Sequence, residues 1–242
     1  MTNLFDMKSF DINIDQGSLV SLILILLVFV PMLLCVAFMT IIERKAMGSM
    51  QRRIGPNVVG YYGVLQPFAD ALKLVVKEQI IPAQSNKALF FLAPMISLVF
   101  SLLGWATIPF GSGMAITDIS LGMLFSLAVS SIGVYGALFA GWAANSKYAF
   151  LGSLRSTAQM ISYELIFSTC VAAVILLAGS LNFTTIVEAQ TSIWFIVPLF
   201  PLFIMYLISA LAELNRTPFD LPEAESELVS GFMTEHSGMI FV

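Results

Sequence analysis

Apolar residues dominate five stretches of about twenty residues each, at 19–42, 88–108, 120–144, 157–179 and 193–211. A helix of about 20 residues, rising about 1.5 Å per residue, crosses the roughly 30 Å hydrocarbon core of a bilayer. The pattern therefore predicts about five transmembrane helices. Glu164, in the fourth stretch, is the one charged side chain inside them. Between the first two stretches the chain is polar over 43–87, and within it 64–78 reads VLQPFADALKLVVKE. There Val64, Leu65, Phe68, Leu72, Val75 and Val76 recur at helical spacing, while Gln66, Asp70, Lys73 and Lys77 take the other face. That is the signature of an amphipathic helix lying in the membrane interface. It either anchors the loop, with Asp70 and Glu78 facing solvent, or roofs an opening for a lipid-soluble substrate. The expected fold class is thus all-α: a single polytopic transmembrane domain over 1–242, with about five spans and one interfacial helix.

Composition agrees, with 58% hydrophobic and 11% charged residues, more apolar surface than a soluble domain of this length could bury. The basic residues sort by loop. Arg44, Lys45, Arg52, Arg53, Lys73, Lys77 and Lys87 lie between the first two spans, Lys147 and Arg155 between the third and fourth, and Arg216 after the fifth. The opposite loops carry Asp118 and Glu188 and no Lys or Arg. The positive-inside rule then puts the amino terminus outside and the loops 43–87, 145–156 and 212–242 on the cytoplasmic or matrix face. Residues 1–17 hold Asp6, Asp11 and Asp15 against Lys8, and resemble neither a secretory signal nor an Arg-rich transit peptide. A net charge of −4 speaks against nucleic acid as a partner. Cys35 and Cys170 are far apart inside spans and His236 stands alone, so no metal site is expected and the chain brings no iron–sulfur cluster or haem ligation of its own. Both cysteines read as packing residues, and His236 as a hydrogen-bonding loop residue.

The carboxylates are the remaining chemistry. Glu164 within a span costs about 2.5 to 3.5 kcal/mol on insertion scales, so it must be protonated, paired or facing water. Glu213, Asp220, Glu223, Glu225, Glu227 and Glu235 crowd the segment 212–238, directly after the last apolar run. Glu223, Glu225 and Glu227 read alone as a solvated acidic loop; read with Glu213 they form a group close enough to titrate together. Pro218 and Pro222 interrupt helix on either side of Phe219 to Leu221, which suits a cavity wall or protein interface better than a lipid-facing surface.

The segments ERKAMGSMQRRIGPNVVGYYGVLQPFADALKLVVKE, NSKYAFLGSLRSTAQMISYE and AELNRTPFDLPEAESELVSGF, in that order, resemble the membrane subunit of the quinone module of respiratory complex I, which occurs in mitochondrial and bacterial forms. The likeness runs from the first span to the last residue, and SGFMTEHSG is closer to a mitochondrially encoded form. Family members continue into further helices, so the resemblance implies that this chain is a fragment or that the remainder is supplied separately. It also implies that Arg44, Arg53, Arg216, Phe219 and Asp220 belong to a chamber for ubiquinone, the substrate. Glu164, Glu213, Glu223, Glu225 and Glu227 would form a proton path leading from it. NADH, FMN and the iron–sulfur clusters would reside in other complex I subunits on the matrix side, with membrane-arm subunits alongside. The implied location is the mitochondrial inner membrane, or the bacterial plasma membrane in the alternative. Two other readings stay open: a proton or cation transporter component without redox chemistry, and the related subunit of a membrane-bound hydrogenase.

Overall fold

A computed structural model of the chain describes residues 18–111, 115–216, 218–221 and 231–238. Their regular elements are helices. The described residues divide into two compact units, one formed by those up to 79 with 237–238, the other by those from 80 to 236.

In the first unit α1 spans Ser18–Met50, 33 residues, and runs about two turns past the predicted end of the first span. The reason is local: Glu43, Arg44, Lys45, Ala46 and Met47 are good helix formers, and the first strong breaker is Gly55-Pro56. The helix closes as Arg53 N–H donates to the Gly48 carbonyl at 2.9 Å, with Arg52 at a φ of 56°. The loop folds back tightly at Gly63, where a Cβ would lie 2.2 Å from the Pro56 carbonyl oxygen at a φ of +76°. Only glycine fits both the space and the left-handed backbone. The amphipathic helix α2 spans Gln66–Val76, inside the predicted 64–78. Pro67 starts it, because a missing N–H costs nothing in the first turn, and Lys77 turns extended at its end. Phe38 of α1 meets Phe68 of α2 edge-on at 6.2 Å. The outer stripe of Leu72, Val75 and Val76 stays exposed.

The second unit contains α3 (Lys87–Gly104), α4 (Gly122–Ala143), α5 (Lys147–Ala178), α6 (Phe183–Ala189), α7 (Phe200–Glu213) and a 3-10 segment at Gly231–Glu235. Small residues let backbones approach, as membrane helices require in the absence of a hydrophobic force between them. A Cβ on Gly136 of α4 would lie 1.9 Å from Ser97 Oγ of α3, and one on Gly141 would lie 2.2 Å from Ser153 Oγ and 2.6 Å from the Ala149 carbonyl oxygen of α5. The predicted inner loop 145–156 is largely helix instead. Ser146 caps α5 through Oγ, and polarity at Lys147 and Arg155 does not interrupt it. The α5 helix has 32 residues, about 48 Å, well beyond the apolar run.

The predicted fifth span, 193–211, also differs. It becomes α-helix only at Phe200, giving α7 14 residues, about 21 Å, which is short of a full crossing. Pro198 and Pro201 remove backbone donors in the middle of the apolar run. Among the described residues four helices are long and apolar enough to cross a membrane, Leu22–Met50, Lys87–Thr107, Gly122–Ala143 and Lys147–Ala178. The short α6, which the apolar pattern does not predict, is capped by Asn182, whose Nδ2 donates to Asp118 at 2.7 Å.

Candidate functional site

The α5 helix carries a polar face into the second unit. Ser156, Gln159 and Tyr163 are spaced to share one side of it, and Glu164 follows. Gln159 is 5% exposed. Its Nε2 faces three acceptors on the chain that leaves α7: the Ala212 carbonyl at 2.8 Å, Asn215 Oδ1 at 3.0 Å and the Phe219 carbonyl at 2.7 Å. The last carbonyls of a helix lack intrahelical donors, and here a side chain of another helix supplies one. Asn215, at a φ of 50°, reverses the chain and donates Nδ2 to Ser156 Oγ at 3.3 Å. Phe219 N–H closes the turn on the Arg216 carbonyl at 2.7 Å, and its ring meets Tyr163 edge-on at 5.4 Å.

The predicted residues fall into place unequally. Phe219 and Asp220 are half-buried on this turn and Arg216 is exposed on it. Asp220 Oδ1 and Gln159 Oε1 are buried acceptors without a hydrogen-bond partner among the described residues. Buried acceptors are normally satisfied, so both are open to a donor beyond the described residues. Glu213, at the end of α7, accepts from Ser130 Oγ at 2.9 Å, and Glu164 accepts from Ser131 Oγ. The intramembrane carboxylate thus has a hydroxyl donor on α4. Glu223, Glu225 and Glu227 lie outside the described residues.

Arg44 and Arg53 belong to the first unit. Arg44 Nη1 bonds Asp70 Oδ2 at 2.6 Å, while Arg53 Nε donates to Gln51 at 2.7 Å. The hydrogen bond from Arg44, with help from Gln66, outweighs desolvation and holds the Asp70 carboxyl below its ordinary range. Asp70 is therefore partly exposed and ion-paired from α2 to the end of α1, beside the Phe38–Phe68 contact.

His236 departs from its expected role as a hydrogen-bonding loop residue. Its ring stacks on buried Phe90 at 4.2 Å and 14°, and neither ring nitrogen has a partner among the described residues. Burial pushes its pKa down, and the Ala140 carbonyl opposes this without forming a hydrogen bond of normal geometry. Cys170 is buried on α5 and Cys35 exposed on α1. An apolar cavity of about 450 Å³ lies among α4 to α7, lined by Phe167, Cys170, Phe183, Phe195 and Phe203 with Tyr206.

Ser130, Ser131, Gln159 and Tyr163 are functional candidates that sequence reasoning passes over. The signal was present as polar side chains inside apolar runs, but serine in a membrane helix usually means close packing. Only the fold shows that these hydroxyls reach carboxylates.

A match to the family described as NADH dehydrogenase covers residues 23–242. The chain is 75% identical over 224 residues to NADH-ubiquinone oxidoreductase chain 1 of Mycosarcoma maydis, covering 93% of this chain and 68% of the relative. It is 59% identical to the protein of that name in Neurospora crassa, over 93% of this chain and 61% of the relative. Against a bacterial relative, an NADH-quinone oxidoreductase subunit of Rhodospirillum centenum, it is 58% identical, over 90% of this chain and 65% of the relative. It spans about two thirds of the length of the curated relatives it matches. An all-helical membrane chain with this match along nearly its whole length belongs to the NADH dehydrogenase family, whose members include NADH-ubiquinone oxidoreductase chain 1 and its bacterial NADH-quinone oxidoreductase counterpart.

Proposed function

We propose that the chain is a core membrane subunit of a proton-translocating NADH:ubiquinone oxidoreductase, that it lines part of the chamber where ubiquinone is reduced, and that its carboxylates begin the proton path from that chamber. The observation that carries this is the service α5 gives to two kinds of chemistry. One face of it holds the turn Asn215–Asp220, with an aromatic edge and a buried acceptor open to a donor. The same helix carries Glu164, and Glu164 and Glu213 are bonded to adjacent serines. Quinone reduction takes up electrons and protons together, so a ring-binding surface beside hydrogen-bonded carboxylates suits it. Phe219 offers a flat apolar contact for the ring or tail. The guanidinium of Arg216 suits the negative charge that develops on a quinone oxygen, and the reading extends to Arg44 and Arg53 on the same ground. Glu223, Glu225 and Glu227 continue the proton path in this reading. NADH, FMN and iron–sulfur clusters belong to partner subunits, which deliver the electrons. The location is the mitochondrial inner membrane, with the amino terminus outside and the segments 43–87, 145–156 and 212–242 toward the matrix.

The test is NADH-to-ubiquinone electron transfer by the complex that co-purifies with the chain in mild detergent, with and without a quinone-site inhibitor, for the natural chain and for Asp220→Asn. The expected result is inhibitor-sensitive activity that falls in the variant, while NADH oxidation by an artificial acceptor at the hydrophilic arm persists. Full quinone reduction by Asp220→Asn would remove that residue from the site. A co-purifying hydrogenase, or a complex without redox activity, would overturn the reading in favour of the hydrogenase or transporter class.

A further inference from the structure

Serines on these helices mostly turn back onto their own backbone. Ser126 donates to the Met123 carbonyl at 2.8 Å, Ser153 to Phe150 at 2.9 Å, Ser162 to Ala158 at 2.7 Å and Ser168 to Leu165 at 2.9 Å. That is the usual local bond of a helix hydroxyl. Ser130 behaves otherwise, and Ser131 reaches a second helix in addition to its own backbone. Ser130 Oγ donates to Glu213 Oε1 at 2.9 Å, and Ser131 Oγ donates to Glu164 Oε1. Consecutive helix residues point about 100° apart, so this adjacent pair reaches two different helices, α5 and the end of α7, from one point on α4. Further along, α4 packs closely on α5 at Gly141.

Ser131 Oγ also lies 3.0 Å from the Leu127 carbonyl. A hydroxyl has one hydrogen and two acceptor positions. When Glu164 is ionised, Ser131 donates to it. When Glu164 is protonated, the acid can donate to Ser131 Oγ while the serine hydrogen turns to Leu127. The serine neither gains nor loses a proton, and the carboxyl group keeps its bond in both states.

We propose that Ser130 and Ser131 are a positioning pair for proton transfer, whose hydroxyls hold the carboxyl groups of Glu213 and Glu164 at the junction of α4, α5 and α7. The inference rests on the proton-path reading above and names the groups that hold two of its carriers in place.

The discriminating variants are threonine and valine at each serine, since the two side chains share a shape and differ in the hydroxyl. The intact complex carrying Ser130→Val, Ser131→Val or the threonine counterparts is reconstituted in liposomes, and protons translocated per NADH oxidised and quinone-dependent turnover are measured. Loss of a hydrogen bond to a charged group lowers the share of carboxyl groups held in place by about tenfold or more, and the step slows by that factor. Expected is that loss in the valine variants, recovery with threonine, and unchanged NADH oxidation by an artificial acceptor in both. Equal behaviour of valine and threonine, or natural rates with valine, would overturn the proposal. Where valine prevents assembly, Ser→Ala removes the hydroxyl without added bulk and is judged by the same criterion. If Glu164→Gln and Glu213→Gln abolish coupling while Ser→Val does not, the serine role alone fails. If the natural complex reduces no quinone, the function itself fails.

Discussion

Gln159→Met tests the claim that α5 holds the turn after α7. Methionine keeps the length and volume of glutamine and removes its polar end. Nε2 has two hydrogens and faces acceptors at 2.8, 3.0 and 2.7 Å, so at most two bonds are fully made at once. At about 0.5 to 1.5 kcal/mol each, they favour the closed turn by about 1 to 3 kcal/mol, a factor of about 5 to 150 in the closed-to-open ratio. Global stability should move less, because methionine also removes the buried Gln159 Oε1, which has no partner among the described residues and whose burial carries a penalty of similar size. The two effects separate by hydrogen exchange. In the purified complex the amides of Leu214, Asn215 and Phe219, which bond Ala210, Ala212 and Arg216, should exchange about 5 to 150 times faster in the variant. Amides in the middle of α5 should barely change. Unchanged exchange at all of the turn amides would show that Gln159 does not hold the turn, and the site as described would lose its anchor.

Asp70→Asn should weaken the hold of α2 on the end of α1 only slightly, by about 0.2 to 1 kcal/mol, because the side chains of the Arg44 pair are 50% and 35% exposed. Since the folded-state pKa of Asp70 is lowered, its contribution is present above the ordinary value of 3.8 and is lost as acid titrates through the folded-state value; a spin label on α2 should report that acid release in the natural chain and not in Asp70→Asn. Gly141→Ala should cost about 1 to 3 kcal/mol, seen as a lower melting temperature of the complex, because its Cβ would lie 2.2 Å from Ser153 Oγ and 2.6 Å from backbone. Gly104→Ala, with nothing within 4 Å of the added carbon, should be neutral or slightly stabilising, and a comparable loss there would refute the packing argument. His236→Phe should preserve the stack on Phe90. Because burial lowers the His236 pKa, the natural chain should lose hold of residues 231–236 as pH falls below about 6.5, where the released ring takes up a proton; limited proteolysis across pH should show this sensitivity vanish in the phenylalanine variant.

Hydropathy along the chain determined the all-helical class, the positions of the apolar spans and the amphipathic α2, because each depends on residues within a few turns of one another. It also marked Glu164, whose cost in a bilayer is a property of the residue and its neighbours in the chain. Hydropathy reports where the chain leaves lipid, however, and not where the helix ends. The backbone hydrogen bonds of α1 and α5 continue past Ile42 and through Lys147–Ser156, since polar residues are good helix formers in water. In the fifth apolar run the prolines shorten the helix even though the hydropathy is unbroken. The site lay further from local reading. Ser130 meets Glu213 across 83 residues, and Gln159 meets the turn across 53 to 60. Which polar side chain meets which carboxylate depends on the rotation and approach of helices, here governed by close contacts at Gly136 and Gly141. No periodicity within a single helix carries that information, and tertiary packing alone decided it.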